Sequence, residues 1–340
     1  LSLVGFFCAN CGSSRNIALI KVYIVTAQPR EFSKSPSVGR FAPSPTGPLH
    51  FGSLLTAVAS FLDARQAGGA WLVRMEDVDE PRCRKEWAND ILRSLESHQL
   101  CWDGDVAVQS ERKNVYEEAL AQLRTQGALY PCSCTRKELE HGPRNPQGEV
   151  VYPGTCAGDR ANPLAPQFAE RFRVGQGRLL SFEDGLFGLQ EAPGWEDVGD
   201  FVVKRADGYH AYHLAVVVDD ALQGVTEVVR GSDLLFATPK HLLLQRALGF
   251  PTPRYLHLPI ATNTLGEKLS KQTKAPALDS RRASDNLVDA LVALGQMSDA
   301  SVARDLRCES PASILGFSIP RWNRGALPRR ATFVAEGQHG

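Results

Sequence analysis

The chain has no excess of either charge: 38 Lys and Arg residues balance 38 Asp and Glu residues. A global field is therefore excluded as a means of gathering nucleic acid, and any such contact must come from a local basic face. It also has no apolar run long enough to span a membrane, so no membrane association is expected. The apolar start, Leu1 to Phe7, is short and has neither a charged flank nor a small-residue cleavage site, so it does not read as a signal peptide. Disulfide spacing is missing as well. The eight cysteines, Cys8, Cys11, Cys83, Cys101, Cys132, Cys134, Cys156 and Cys308, fall at uneven intervals. That excludes a secreted disulfide scaffold and makes a cytoplasmic location the expectation. No internal repeat is visible.

What is present is an ordinary globular mixture, 43% hydrophobic and 22% charged, in 340 residues, long enough for about two domains and a substantial core. Residues 1–37 do not read as part of the fold that follows and are expected to be a disordered extension. Val38 to Phe41 reads as a strand that enters the Pro/Gly-rich turn Pro43 to Pro48. A helix follows from about Ser53, with Leu54, Val58, Phe61 and Leu62 on one face and Gly68-Gly69 as the stop. Trp71 to Met75 is a second strand and Arg84 to Ser97 a second helix. This is the opening of a parallel α/β sheet. Ser110 to Gln126 reads as a helix with Ser110 as N-cap. Tyr130 to Pro166, rich in Gly, Pro and Cys, reads as an insertion. Further strands are expected at Phe201–Lys204, Val225–Arg230 and Tyr255–Pro259, and helices at Pro239–Leu248 and Asn286–Leu294. The apolar run Tyr212 to Val218 fits a helix or a strand, and periodicity does not decide between them.

Two segments carry phosphate chemistry. In Arg40-Phe-Ala-Pro-Ser-Pro-Thr-Gly-Pro-Leu-His-Phe-Gly-Ser53, glycine lets backbone approach a phosphate, the helix N-terminus favours negative charge, and His50 can donate to a phosphate oxygen. In Glu267-Lys-Leu-Ser-Lys-Gln272, Lys268 and Lys271 can neutralise charge building on a transferring nucleotide phosphate. Taken singly, the first is also an ordinary βα turn and the second a solvated loop.

Together, in this order, the two segments resemble the paired signatures of class I aminoacyl-tRNA synthetases. His50-Phe-Gly-Ser53 is similar to HIGH, and Lys268-Leu-Ser-Lys-Gln272 to KMSKS. Arg40 to Gly52, Val73 to Arg82 and Gln223 to Leu234 resemble the glutamate-specific branch, and the likeness extends over about Gly39 to Pro276. It implies a Rossmann-type catalytic domain in two halves, 38–130 and 201–276, an insertion over 131–200 with a zinc-binding subdomain, and a short helical or irregular tail over 277–340. It assigns catalysis to His50, Lys268 and Lys271, and ATP binding to His50, Gly52, Ser53 and Lys271. L-glutamate would lie against Arg40, Phe41, Ala42, Pro43, Ser44, Glu76, Tyr212 and Arg230. Among these, Arg40 and Arg230 would meet carboxylates, Glu76 the ammonium, and Tyr212 would position the substrate. Arg74 fits a structural salt bridge at a strand end better than a ligand role. The departures are Ser53 in place of the second HIGH histidine, which removes one phosphate donor, and Leu269 and Gln272 in place of Met and Ser.

Cys132, Cys134 and Cys156 offer three thiolates in one irregular stretch, a set that suits Zn2+. The resemblance adds Tyr152 as fourth ligand. Cys8 and Cys11 are read as unliganded, and Cys83, Cys101 and Cys308 as incidental. After the lysine loop only Thr273 to Gly340 remain, with no room for large anticodon-binding domains. This implies the short glutamyl-Q branch, which works as a monomer with ATP, Mg2+ and glutamate and modifies the queuosine of tRNA(Asp). The alternatives are a truncated synthetase that charges a tRNA 3′ end, or a non-catalytic paralogue binding tRNA or zinc. Arg321, Arg324, Arg329 and Arg330 form either a basic face for RNA or an ordinary solvated tail.

Overall fold

The structure, a computed structural model, describes residues 37–145, 148–158, 167–175, 180–192, 198–262, 276–330 and 332–334. The strands are β1 (Val38–Phe41), β2 (Ala70–Met75), β3 (Ala107–Val108), β4 (Leu129–Cys132), β5 (Ala169–Phe172), β6 (Leu180–Asp184), β7 (Gly188–Ala192), β8 (Phe201–Lys204), β9 (Glu227–Gly231), β10 (Arg254–Leu258), β11 (Ile260–Thr262) and β12 (Thr332–Val334). The helices are α1 (Phe51–Gln66), α2 (Lys85–Ser97), α3 (Lys113–Thr125), α4 (Arg136–Leu139), α5 (Tyr212–Leu222), α6 (Thr238–Leu248), α7 (Ala283–Ala293), α8 (Ala300–Leu306) and α9 (Pro311–Ser318). None of the described helices is long and apolar enough to cross a membrane.

The main sheet runs β3-β2-β1-β9-β10-β6-β7, parallel from β3 through β6, with β7 antiparallel at the edge. The expected parallel α/β sheet is therefore present. Alternation along the strands divides the core: Val229 and Leu256 join the cluster built around α1, whereas Val228 and Tyr255 pack with Leu242 of α6. Gly39 serves the close approach of β1 to α1, since a Cβ there would lie 3.0 Å from the Ala64 methyl carbon. Strand order reverses between β1 and β9, and the ends of these two strands open a crevice where α/β sheets commonly bind ligands.

The undecided run at Tyr212 is helix α5. It lies among α3, α6 and β8, so it is buried from Leu214 through Asp220 and its amphipathic signal disappears. Ser110 does not cap α3. Its N–H and hydroxyl both donate to the Asp77 carboxylate at 2.7 Å, forming a separate turn, and α3 begins at Lys113. Residues 180–192, read from the sequence as part of the insertion, form the β6–β7 hairpin on the main sheet beside β10. Strand β8, read as catalytic domain, pairs instead with β5 in the three-stranded sheet β4-β5-β8. Short strands do not reveal a distant partner, so both assignments depended on non-local pairing.

The C-terminal segment is more than a tail. Helix α7 packs on α1 and α9 packs on α7, and Trp322 and Leu327 enter the same core. Arg324 donates to both oxygens of the buried Asp63 at 2.6 and 2.7 Å and to Glu227 at 2.9 Å, while the Trp322 indole N–H donates to Asp63 at 2.9 Å. Arg321 stacks over Phe317 at 4.0 Å. Arg324 is thus a clamp held by two buried carboxylates rather than a solvated cation. Asp63→Ala strands two donors, and with Arg324 partly exposed the expected cost is about 2–4 kcal/mol. Urea unfolding checks this, and a loss below about 0.5 kcal/mol would remove the clamp.

Candidate active site

A cleft of about 580 Å³ opens at the ends of β1 and β9. Its walls include Arg40, Phe41, Ala42, Pro43, Ser44, His50, Gly52, Ser53, Glu76, Tyr212 and Arg230, which brings together the residues selected for catalysis, ATP and glutamate that fall in the described part of the chain. Lys268 and Lys271 lie outside the described residues. The sequence reading did not single out Thr46, Leu49, Thr56, Val229, Gly231, Asp233, Leu234, Pro259, Ile260 or Ala261. Four of these, Val229, Gly231, Asp233 and Leu234, stand in the stretch Gln223–Leu234 that carried the family likeness. At Gly231 a Cβ would come 2.4 Å from an Asp233 carboxylate oxygen, so glycine permits the turn that brings Asp233 back to the cleft.

Behind Arg40 and Glu76 lies a buried ionic lattice. Arg74, fully enclosed, contacts Glu76 at 3.0 Å, Asp220 at 2.8 Å and the Gln223 side-chain oxygen at 2.7 Å. The structural role for Arg74 is therefore visible. Arg40 donates through Nε to Asp220 at 3.2 Å and through an Nη to the Val229 carbonyl at 3.4 Å. Burial would raise the Asp220 proton affinity, yet Arg40 and Arg74 hold it below the ordinary carboxylate range. Burial raises that of Glu76, opposed by Arg74 and Arg40. Sequence reasoning missed Asp219 and Asp220, the acidic pair at the end of α5. Asp219 accepts from Gln109, Arg112 and Tyr116 at 2.7–2.8 Å, which ties α5 to the segment entering α3.

Arg230 is held differently. Its Nε donates to His257 Nε2 at 3.0 Å, and its Nη groups to His241 Nδ1 at 3.1 Å, Thr238 Oγ1 at 2.7 Å and the Leu234 carbonyl at 3.2 Å. Every one of these partners is neutral. Arginine only donates, so both rings must present a lone pair to it. His257 accordingly carries its proton on Nδ1, where it donates to Asp184 at 2.7 Å, and His241 donates from Nε2 to His213 Nδ1 at 3.1 Å. The chain Asp184–His257–Arg230–His241–His213 fixes the guanidinium while leaving its positive charge for an anion. Three buried or partly buried histidines at such a site carried no sequence signal, because they lie in different elements.

Burial lowers the proton affinity of all three rings. Arg230 adds to this for His241, and Lys240 and Arg230 bring His213 to about 3. The folded protein keeps these rings neutral, whereas the unfolded chain protonates them below about 6.5. Stability therefore falls with pH from about 6.5 towards 3, by about 1–2 kcal/mol at pH 5 for the partly buried His213. Unfolding midpoints at pH 7 and 5 check this. Equal midpoints, or an unchanged difference in His213→Gln, would show that His213 does not contribute.

His50 caps α1. Its Nδ1 accepts the Ser53 N–H at 3.3 Å, which starts the helix ahead of Ser53, and its Nε2 lies 3.1 Å from Ser53 Oγ. The proton is then on Nε2, and Ser53, at the second HIGH position, is coupled to it. Gly52 and Ser53 bring the first turn of this 16-residue helix to the cleft, where the helix dipole favours an anion.

Outside the cleft, the sulfur atoms of Cys132, Cys134 and Cys156 lie within 4.8 Å of one another. Tyr152 Oη is 3.4 and 3.5 Å from the Cys132 and Cys134 sulfurs, and Cys134 and Cys156 are 3.5 Å apart. A tetrahedral ion with metal–sulfur bonds near 2.3 Å needs edges of about 3.8 Å, so the set fits a metal ion. The Cys156 backbone N–H donates to Tyr152 Oη at 2.8 Å and aims that oxygen. Despite burial, which raises it, hydrogen bonding from Tyr152 and the Ser133 backbone brings the Cys156 thiol down to about 7. Cys8 and Cys11 lie outside the described residues.

Residues 38–295 match the family described as tRNA synthetases class I (E and Q), catalytic domain. The chain belongs to this family. It is 53% identical over 292 residues to the glutamyl-Q tRNA(Asp) synthetase of Thiobacillus denitrificans, covering 86% of this chain and 95% of that protein. The protein of the same name from Dechloromonas aromatica is 50% identical, with 88% and 98% covered. That from Neisseria meningitidis serogroup A is 49% identical, with 86% and 98% covered. Among solved structures, the glutamate-tRNA synthetase of Elizabethkingia anophelis superposes with a TM-score of 0.71 at 24% identity, covering 89% of this chain and 69% of that one, which shows a shared fold. The class I (E and Q) match contains both the cleft and the cysteine cluster. It ends before α8, α9 and Trp322, which nevertheless complete the core behind α1.

Proposed function

We propose that this class I synthetase activates L-glutamate with ATP, supplied as its Mg2+ complex, and transfers the glutamyl group to the queuosine base of tRNA(Asp). The observation that carries the reading is the joining of Arg40, Arg230 and Glu76 with the N-terminus of α1 in one cleft. The names of relatives matched over nearly their whole length support the acceptor. Arg40 and Arg230 meet the glutamate carboxylates, Glu76 its ammonium, and Tyr212 orients it. A glutamate α-carboxylate oxygen attacks the ATP α-phosphorus and pyrophosphate leaves. His50, Ser53 and the first N–H groups of α1, with Lys268 and Lys271, stabilise the charge on the phosphates. A hydroxyl of the queuosine cyclopentenediol then attacks the adenylate carbonyl, loses its proton, and AMP departs. Activation precedes RNA binding, and the protein works as a monomer.

The test has two parts. Glutamate-dependent pyrophosphate exchange is expected without tRNA, and exchange that appears only when tRNA is added would reject that order. Labelled glutamate is then offered with tRNA(Asp) carrying queuosine or unmodified guanosine. Incorporation only into the queuosine form, stable to removal of the 3′ adenosine, is expected. Equal incorporation, or label released with that adenosine, would make the chain a short synthetase for a tRNA 3′ end.

The ion assigned to Cys132, Cys134, Tyr152 and Cys156 is zinc, which would tie β4 to the irregular segment before β5. Metal analysis is expected to find about one zinc per chain. Cys134→Ser is expected to lose it and to make the insertion sensitive to protease. Metal-free protein with unchanged proteolysis and unfolding would dismiss the site.

A further inference from the structure

The insertion holds a second cavity, of about 530 Å³, which shares no lining residue with the cleft. Arg171 of β5 forms part of its wall and is only 8% exposed. One face of its guanidinium lies 3.8 Å over the Tyr152 ring, and one N–H donates to the Asp200 carbonyl at 3.0 Å. Among the described residues its Nε has no hydrogen-bond partner and no carboxylate pairs with it. A buried cation without an anion is costly to maintain, so Arg171 in the wall favours an anion in the cavity.

The rim supplies the same sign. Arg136 and Lys137 are exposed and make no ion pair among the described residues. Arg144 is held by the carbonyls of Gly148 at 2.6 Å and Glu140 at 3.1 Å, which place its charge without cancelling it. Among the described residues, the only carboxylate lining the cavity is that of Glu140.

We propose that this cavity is a phosphodiester-binding site that holds the backbone of the RNA substrate. The proposal rests on the reading of the chain as a tRNA-modifying synthetase. A cavity of this size, with cations spread round an open rim, suits a chain of phosphates more than one small anion. Arginine and lysine at a rim position RNA without reading its sequence. With no net charge on the whole chain, such a local patch is the form an electrostatic RNA contact must take. The site leaves the cleft free for the modified base.

The test compares wild type with the rim variant R136A/K137A/R144A and with Arg171→Gln. Affinity for tRNA(Asp) transcript is measured over a series of salt concentrations. The rim variant is expected to bind about tenfold or more weakly at low salt. Its slope of log affinity against log salt is expected to be shallower by about two to three, one for each phosphate no longer neutralised. Arg171→Gln is expected to weaken binding as well. Glutamate-dependent pyrophosphate exchange without tRNA stays at the wild-type level in the rim variant. Rim-variant affinity and slope equal to wild type overturn the proposal, as does loss of exchange along with binding, which marks a folding defect. Displacement of tRNA by millimolar inorganic phosphate in wild type but not in the rim variant would make this a small-anion site and also overturn it. Absence of exchange in the wild type itself would reject the functional reading and leave the RNA comparison intact.

Discussion

Arg230→Ala is expected to raise the glutamate KM in pyrophosphate exchange by about 30-fold or more, with a much smaller change in kcat. Arg230 carries a positive charge into the cleft that His257, His241, Thr238 and Leu234 hold by hydrogen bonds but do not neutralise. Losing a charge-assisted pair to a buried carboxylate costs about 2–5 kcal/mol. The contact exists in the bound substrate and persists in the transition state, so the loss falls mainly on KM. Arg230→Lys is expected to recover little, because one ammonium cannot serve both rings and present a planar fork to a carboxylate. An unchanged KM in the alanine variant would remove Arg230 from the glutamate site. The ATP requirement serves as the control, and is expected to move little.

Asp184→Asn is expected to destabilise the protein by about 3–5 kcal/mol and to raise the glutamate KM as well. Asp184 is fully buried and accepts from His257 Nδ1 at 2.7 Å and from the backbone N–H groups of His257, Leu186 and Phe187 at 2.9–3.1 Å. Burial would raise its proton affinity, but the His257 bond and the Phe187 N–H keep it below the ordinary value. Its contribution to stability is therefore present at neutral pH and lost only as pH falls through the lowered carboxyl value. An amide oxygen serves fewer donors, and an amide NH2 turned towards Nδ1 shifts the His257 proton to Nε2, where it faces the Arg230 Nε–H. The measurements are thermal unfolding and exchange kinetics. A variant as stable as wild type with an unchanged KM would show that His257 is fixed without Asp184. A destabilised variant with unchanged KM would separate the fold from the site.

Local rules made much of the cleft legible. Strand β1, its turn, α1 and β2 follow one another with little intervening chain, so Arg40, His50, Gly52, Ser53 and Glu76 could be placed together from sequence order alone. The family likeness brought Tyr212 and Arg230 to the same place, although more than a hundred residues separate them from Glu76. Arg74 apart, what escaped was the set of residues that act through another side chain. Asp220 behind Arg40, Asp184 behind His257 and His213 behind His241 have no motif, because a residue that orients a ligand needs only the right direction in space. Gln109, Arg112 and Tyr116 converge on Asp219 for the same reason.

The order of amino acids was enough to specify the parallel α/β class, the Pro/Gly-rich turn at the start of α1 and the three thiols of the insertion, since each rests on neighbours within a few residues or on a repeating period. Packing in three dimensions was needed to make Tyr212–Leu222 recognisable as a helix, because burial on all sides erased its amphipathic period. It also placed residues 180–192 on the main sheet, because strand pairing is chosen by partners far away in the chain. And it turned Arg324 from one cation among several into the bond that holds the C-terminal segment to Asp63, because a charge at the surface and a charge in a clamp differ only in what lies opposite them.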